Sequence, residues 1–300
     1  MSLLVTGTIA LDSVETPFGR HDNVLGGSAT FFGYAASFFT SPRLVGIVGD
    51  DFPREHIDML ASRRIDTAGL EIKSGAKTFR WKGSYHGDMN EAKTLETHLN
   101  VIAEHAPTVP DKFRDTQFVF LANTHPALQL QLLRQVQHPR LVVADTMNLW
   151  ITTAKDALLE LMKHINGMVL NDGEAKLLTG ESNLVAAAEA VLSYGPKFVV
   201  IKKGEHGCLM AGHGEYFALP SFPTRRVVDP TGAGDSFAGA MMGYLSTRES
   251  LSAAELRTAL AYGTVTASFA IEDFSLYRFK EIERRAIDDR LAKFRQVVGF

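Results

Sequence analysis

Short apolar runs, each followed by a helix-patterned stretch, recur through this 300-residue chain and limit the folds open to it. Leu3–Thr6, Arg43–Val48, Phe118–Ala122, Leu141–Ala144, Met168–Leu170 and Lys197–Lys202 read as buried strands. Between or beside them lie the expected helices Ser28–Phe39, Pro53–Arg64, Pro126–Gln137, Thr153–His164, Asp172–Thr179 and Asn183–Ser193. Ser28 is the expected N-cap of the first, and Pro53 sits near the first turn of the second. Strands recurring in this way require a mainly parallel sheet with helices on both faces, a three-layer α/β/α core. Two further helices are expected at Ser252–Ala270 and Lys280–Val298. With no internal repeat and no low-complexity linker, residues 1–300 read as a single domain.

Two segments break the rhythm. Leu11–Leu25 and Leu70–Tyr85 alternate polar and apolar residues without helical spacing, and we take 11–25 and 70–90 as candidates for a small β-lid. In the second, period-two spacing puts Phe79, Trp81 and Tyr85 on one face and Arg80, Lys82 and Ser84 on the other.

Composition excludes several classes. The 31 basic and 34 acidic residues leave a net charge of −3 with no like-charge block, so neither nucleic acid nor a membrane surface is an expected partner. The opening MSLLVTGTIALD lacks the charged and apolar regions of a signal peptide. No apolar run approaches the roughly 18 residues that span a bilayer. One cysteine, Cys208, fits a reducing compartment, and a cytoplasmic location is expected.

The strongest chemical signal is Asp229-Pro-Thr-Gly-Ala-Gly-Asp235-Ser-Phe-Ala-Gly-Ala240. Phe237, Met241, Tyr244 and Leu245 form one stripe of a helix that starts near Gly234. The glycines before it let the backbone bend around a ligand, and unpaired N–H groups at a helix start suit a phosphate. Asp235 falls in the first turn, where the helix dipole favours its ionised form by roughly 0.3–1 kcal/mol. A charged carboxylate beside an anion cradle could take a proton from an attacking hydroxyl, as phosphoryl transfer requires.

That string resembles the C-terminal signature of the PfkB/ribokinase family of carbohydrate and nucleoside kinases. Further segments resemble the family in the same order: Asp12 after the first strand, Gly26-Gly27-Ser-Ala29, Gly46-Ile-Val-Gly-Asp-Asp51, Asp145-Thr-Met-Asn148, Asn171-Asp-Gly-Glu174 and Lys202-Lys-Gly204-Glu-His-Gly207. The resemblance implies a ribokinase-like core and ATP-dependent transfer of a phosphoryl group to a sugar or sugar-like hydroxyl. Asp235 would be the general base, and Gly232, Ala233 and Gly234 would form the anion hole. Asp12, Gly26, Gly27, Arg80, Trp81 and Asn148 are the candidate substrate residues, with Arg80 placed to meet a phosphate already on the substrate. Asn171, Glu174, Lys202, Gly204, Gly207 and Thr231 are the candidate ATP residues. Glu174 would hold Mg²⁺ through water, since that ion sheds its hydration reluctantly. A monovalent cation such as K⁺ would use Asp229 and the Thr231 carbonyl, although Ala267–Arg278 departs from the glycine-ending loop of sugar kinases.

Other nucleotide folds do not fit. Val5-Thr-Gly7-Thr-Ile-Ala-Leu holds one glycine where a dinucleotide site needs Gly-x-Gly-x-x-Gly, and the chain has no Gly-x-x-x-x-Gly-Lys-Ser/Thr. Two alternatives stay open. Phe79, Trp81 and Tyr85 could stack on the base of a nucleoside, or form the packed face of the lid or of a homodimer joined through it. A sugar- or nucleotide-binding regulator without catalysis could use the same fold.

Overall fold

The computed structural model describes residues 1–90 and 92–299. From β1 (Leu3–Thr6) the chain passes through β2 (Ala10–Thr16), β3 (Gly19–Gly26), α1 (Ser28–Ser37), β4 (Arg43–Gly49), α2 (Arg54–Ser62) and β5 (Asp66–Lys73). Then β6 (Phe79–Tyr85), β7 (Ala92–His98) and a short α3 (Val101–Glu104) lead to β8 (Phe118–Leu121) and α4 (Pro126–Leu133). Next are β9 (Leu141–Asp145), α5 (Asn148–Thr153), α6 (Lys155–Met162), β10 (Gly167–Asn171), α7 (Asp172–Thr179), α8 (Leu184–Ser193) and β11 (Phe198–Lys202). The hairpin β12 (Cys208–Gly212) and β13 (Glu215–Leu219) precedes α9 (Ala233–Leu245), α10 (Ala253–Ala270), α11 (Tyr277–Lys280) and α12 (Arg284–Val298).

Among the described residues, nine strands form one sheet in the order β13-β12-β11-β10-β9-β8-β1-β4-β5. Its pairings are parallel from β11 to β5, and the β12–β13 hairpin adds the antiparallel edge. The side chains show why both faces are covered. Leu3, Val5, Phe118, Phe120, Leu141, Val143, Phe198 and Val200 enter one core with residues of α1, α9, α10 and α12. Their neighbours Leu4, Val119, Leu121, Val142, Ala144, Val199 and Ile201 enter a second core with α4, α6, α7 and α8. Period-two alternation with both sets apolar is what makes each strand read as a continuous hydrophobic run. The three-layer core is as expected.

The order reverses between β8 and β1: the chain winds outward from β1 through β4 on one side and from β8 through β9 on the other. In open α/β sheets ligands bind at the carboxyl ends of strands at such a switch point. A second, four-stranded sheet in the order β3-β2-β6-β7 leaves the core there, directly after β1.

Two expectations need correction. Leu70–Lys73, assigned to the lid, belongs to β5 and pairs in parallel with β4 in the large sheet. Its alternation arises because β5 is an edge strand covered on one side. The N-cap of α1 is Gly27, not Ser28, because the Ser28 side chain bonds back to Thr8 instead. Among the described residues, no helix is long and apolar enough to cross a membrane.

Candidate active site

Two helix starts and the strand ends beneath them build the site. Gly232 takes the left-handed conformation (φ 73) just before α9, and a Cβ there would stand 2.2 Å from the Phe31 ring of α1. Only glycine turns the chain this tightly against that ring. The turn delivers Asp235 to the first turn of α9. The N–H groups of Gly234 and Asp235 have no partner among the described residues, whereas Ala233 N–H bonds to the Pro230 carbonyl (3.1 Å). Of the expected cradle, the Ala233 amide is therefore already engaged.

Lys202, at the end of β11, reaches over this turn: a Cβ on Gly234 would lie 2.6 Å from its Nζ. Asp235, Asp145 and Glu174 all feel that ammonium. Loss of solvation raises the pKa of each of these carboxyls, Asp145 well above the usual value; the Asp235 charge adds to the rise at Asp145 and Glu174, and Lys202 opposes it at all three. Asp145 ends β9, accepts the Asn123 N–H, and keeps Oδ1 buried without a partner. Buried oxygens left without a bond are rare and point to a missing ligand.

Asp12 of β2 stands on the other side. Its Oδ2 accepts Gly27 N–H (3.3 Å), and Oδ1 is buried and unpartnered. Gly26 leaves room for this carboxylate, since a Cβ there would overlap it. Burial, with Asp229 and Asp235 nearby, pushes Asp12 up to about 7. Asp12 is thus brought into the same electrostatic cluster as Asp235.

Asn171 and Glu174 form a reciprocal capping box at α7: each side chain accepts the other's backbone N–H at 2.7 Å. Glu174 Oε2 holds that bond, and Oε1 is left for another partner. Among the described residues no group of three or more His, Cys, Asp or Glu forms a ready metal cage. The oxygen donors that are present, Asp145 Oδ1 and Glu174 Oε1, suit a hydrated Mg²⁺ carried largely by nucleotide phosphates.

Of the two expected partners of a monovalent cation, the Asp229 carboxylate already carries backbone bonds. Asp229 accepts the N–H groups of Thr231 (2.9 Å) and Ser275 (3.3 Å), and the Ile271 carbonyl accepts that of Val228 (2.7 Å). These bonds stitch the turn before α9 to Ile271–Ser275.

Of the other expected residues, Trp81 meets the cluster through its backbone N–H, which bonds Asp12, and the rest lie apart from it. Arg80 pairs with Asp51 (2.9 Å) and Asn23, and Lys82 with Glu96, on the strand face opposite Trp81. Asn148 is exposed, its Oδ1 accepting the next N–H. Gly204 and Gly207 turn β11 into β12, where Asn90 bonds Glu205 and rests on Gly204. Trp81 packs against Val14, Tyr85, Met89, Val228 and Phe274, and its Nε1 donates to Thr94. Tyr85 is buried with its hydroxyl on Thr231, so it offers no open face to a base.

Sequence reasoning missed Asn123, which follows β8 at the switch point. Its carbonyl accepts Ser28 Oγ–H, its N–H meets Asp145, and its Oδ1 accepts Trp150 Nε1–H (2.9 Å). A polar residue directly after a fully buried strand was the available signal.

Comparison with known proteins fits this geometry. The pfkB family of carbohydrate kinases matches residues 15–282. The chain belongs to that family. A cytidine kinase of Thermococcus kodakarensis is 31% identical over 249 residues, 81% of this chain and 87% of its own. The nucleoside kinase of Methanocaldococcus jannaschii, an archaeal member of the ribokinase family, superposes with a TM-score of 0.79 at 20% identity, covering 98% of this chain and 99% of its own. A ribokinase of Cryptococcus neoformans in complex with ADP gives 0.77 at 21% identity, covering 96% and 99%. These structures share the ribokinase-like fold, and membership of the pfkB family implies kinase activity with ATP.

Proposed function

We propose that this pfkB kinase transfers the γ-phosphate of ATP to a ribosyl hydroxyl of a nucleoside. The observation that carries the reading is Asp235 in the first turn of α9, behind the left-handed Gly232 and beside Lys202. In this reading Asp12, through its unpartnered Oδ1 and with the Gly26-Gly27 backbone, accepts hydrogen bonds from the ring hydroxyls. Asp235 takes the proton of the attacking hydroxyl, which general-base catalysis makes worth on the order of 10²–10⁴ in rate. The free amides of Gly234 and Asp235, at a helix start, hold negative charge on the transferring group, joined by Lys202. When bound, Mg²⁺ neutralises phosphate charge, and Glu174 Oε1 with Asp145 Oδ1 would orient its water. The nucleoside, rather than a free sugar, is favoured by the likeness to a cytidine kinase over most of both chains. Asn123 and Trp150, beside Asp145, supply an amide and an indole suited to a base.

The test is ADP release with ATP and Mg²⁺ across cytidine, other nucleosides, ribose and phosphosugars, with the Asp235→Asn protein as blank. Cytidine or another nucleoside should give the highest kcat/KM. A preference for free ribose by tenfold or more would overturn the nucleoside reading and leave the kinase reading standing.

A further inference from the structure

The small sheet touches the catalytic turn through one side chain whose role the proposed chemistry does not use. Tyr85 ends β6, is 7% exposed, and places its hydroxyl 3.4 Å from Thr231 Oγ1. Its ring is fixed independently of that hydroxyl, packed among Val14 of β2, Met89, Val228 and Phe274. Thr231 is held on its other side, its N–H on Asp229, which in turn takes Ser275 N–H. Gly232, the next residue, is wedged on Phe31. The Thr231 hydroxyl, set between the Tyr85 hydroxyl and the Asp229 carboxylate, is therefore where the small sheet meets a turn otherwise pinned to the core.

The phenol also sits in an unusual field. Asp229, Asp12 and Asp235 surround it, and burial with their charge holds it protonated far above neutral pH. A neutral hydroxyl among three carboxyls is a durable hydrogen-bonding group. Its contact to Thr231 is long for an O–H···O bond, which runs about 2.5–3.0 Å. Catalytic hydrogen bonds are often slack without ligand and tighten in the complex. Beyond Tyr85, the same connection carries Asn90 to Glu205 and Gly204, so this corner of the small sheet spans both the turn and the β11–β12 connection.

We propose that Tyr85 is a positioning residue: its hydroxyl transmits the seating of the small sheet to Thr231 and so sets the Gly234 and Asp235 amides for the transferring phosphoryl group. The proposal rests on the reading of that turn as the phosphoryl site. It makes acceptor binding under the small sheet and formation of the anion cradle one event, so that phosphoryl transfer to water is disfavoured when the sheet is unseated.

Tyr85→Phe keeps the packed ring and removes only the hydroxyl. It should lower kcat about tenfold, the scale of one lost hydrogen bond, with both KM values within about twofold of the parent. Its melting temperature should stay within about 2 °C, as expected where no core packing is lost. Thr231→Val, which also removes the hydroxyl's bond to Asp229, should lower kcat at least as much, and the double variant should fall no further than Thr231→Val alone, since the Tyr85 contact is already gone there. Hydrogen exchange gives a readout that does not need turnover. Adenylyl-imidodiphosphate with Mg²⁺ and acceptor should slow exchange across Phe79–Tyr85 in the parent but not in Tyr85→Phe. An unchanged kcat in Tyr85→Phe, additive losses in the double variant, or equal protection in both proteins would overturn the proposal. Asp235→Asn separates the two readings: if it retains turnover, the reading of the turn fails, whatever Tyr85→Phe does.

Discussion

Lys202 lies across Gly234, so close that a Cβ on the glycine would stand 2.6 Å from the lysine Nζ. One ammonium thereby serves three carboxyls, buried Asp145 and half-buried Asp235 and Glu174, that come from β9, α9 and α7. Taking Lys202 away leaves them to repel one another in a poorly solvated site, and each binds its proton more tightly. Lys202→Met should therefore lower kcat by at least about 10² at neutral pH, both by protonating the proposed base and by removing a phosphate partner. The surviving activity should have its optimum at higher pH, and Lys202→Arg should recover part of the rate. A pH–rate profile that falls without shifting would show that the lysine does not tune Asp235.

Asp235 itself makes the sharper test. Asparagine is nearly isosteric, and the first turn of α9 accepts it without loss of packing. Asp235→Asn should keep the melting temperature and ADP affinity while kcat falls at least about 10²-fold. Calorimetric titration with ADP alongside single-turnover kinetics checks both halves. Near-parental turnover would remove Asp235 from the role of base.

Asp12 predicts a pH signature. Its folded pKa of about 7 lies above the ordinary aspartate value of 3.8, so the folded state without ligand holds the proton more tightly than the unfolded chain. Below about pH 4 both states are protonated and the residue contributes no difference. As pH rises toward 7 the unfolded chain ionises first and stability falls, with the full loss present above the folded pKa. At about 1.4 kcal/mol per pKa unit this is on the order of 4 kcal/mol, which Asp12→Asn should abolish. Urea unfolding of both proteins near pH 5 and pH 8 measures it: the parent should lose stability relative to the variant at the higher pH. Acceptor kcat/KM should rise through about pH 7 in the parent as Asp12 ionises, because an ionised carboxylate accepts the ring hydroxyls best.

Why these residues were readable from sequence, and others were not, follows from how each is fixed. Asp235 and Asp12 belong to local features, a glycine turn before an amphipathic helix and an acid after a buried strand, and locality leaves a mark in sequence. The parallel core was legible because strands covered on both faces are continuous apolar runs. β7 was missed because Ala92–His98 is exposed at every residue and carries no hydrophobic alternation to detect. Leu70–Lys73 was misassigned because one-sided covering at a sheet edge gives the same alternation as a lid strand. Arg80 was expected at the substrate, but its partners come from distant segments: Asn23 is brought near by the pairing of β3, β2 and β6, and Asp51 by the loop after β4 bonding Thr78. Tyr85 and Asn123 likewise acquire their positions from tertiary pairing, across 146 residues in the case of Tyr85 and Thr231.

The spacing between acceptor and base is set by helix packing as much as by the site. α1 begins at Gly27 beside Asp12, and α9 carries Asp235. The two helices touch at Gly239, where a Cβ would stand 2.3 Å from the Phe32 carbonyl oxygen. That neighbour is backbone and cannot swing away, so Gly239→Ala must part the helices. Overpacking of this kind typically costs about 1–3 kcal/mol, less any gain in helix propensity of about 1 kcal/mol. Urea unfolding should show a net loss. Because Asp235 lies one turn from the wedge, kcat should fall several-fold more than the stability loss accounts for at temperatures where the variant is fully folded. A Gly239→Ala protein with parental stability and turnover would mean that the two helices can separate without moving Asp235 relative to Asp12.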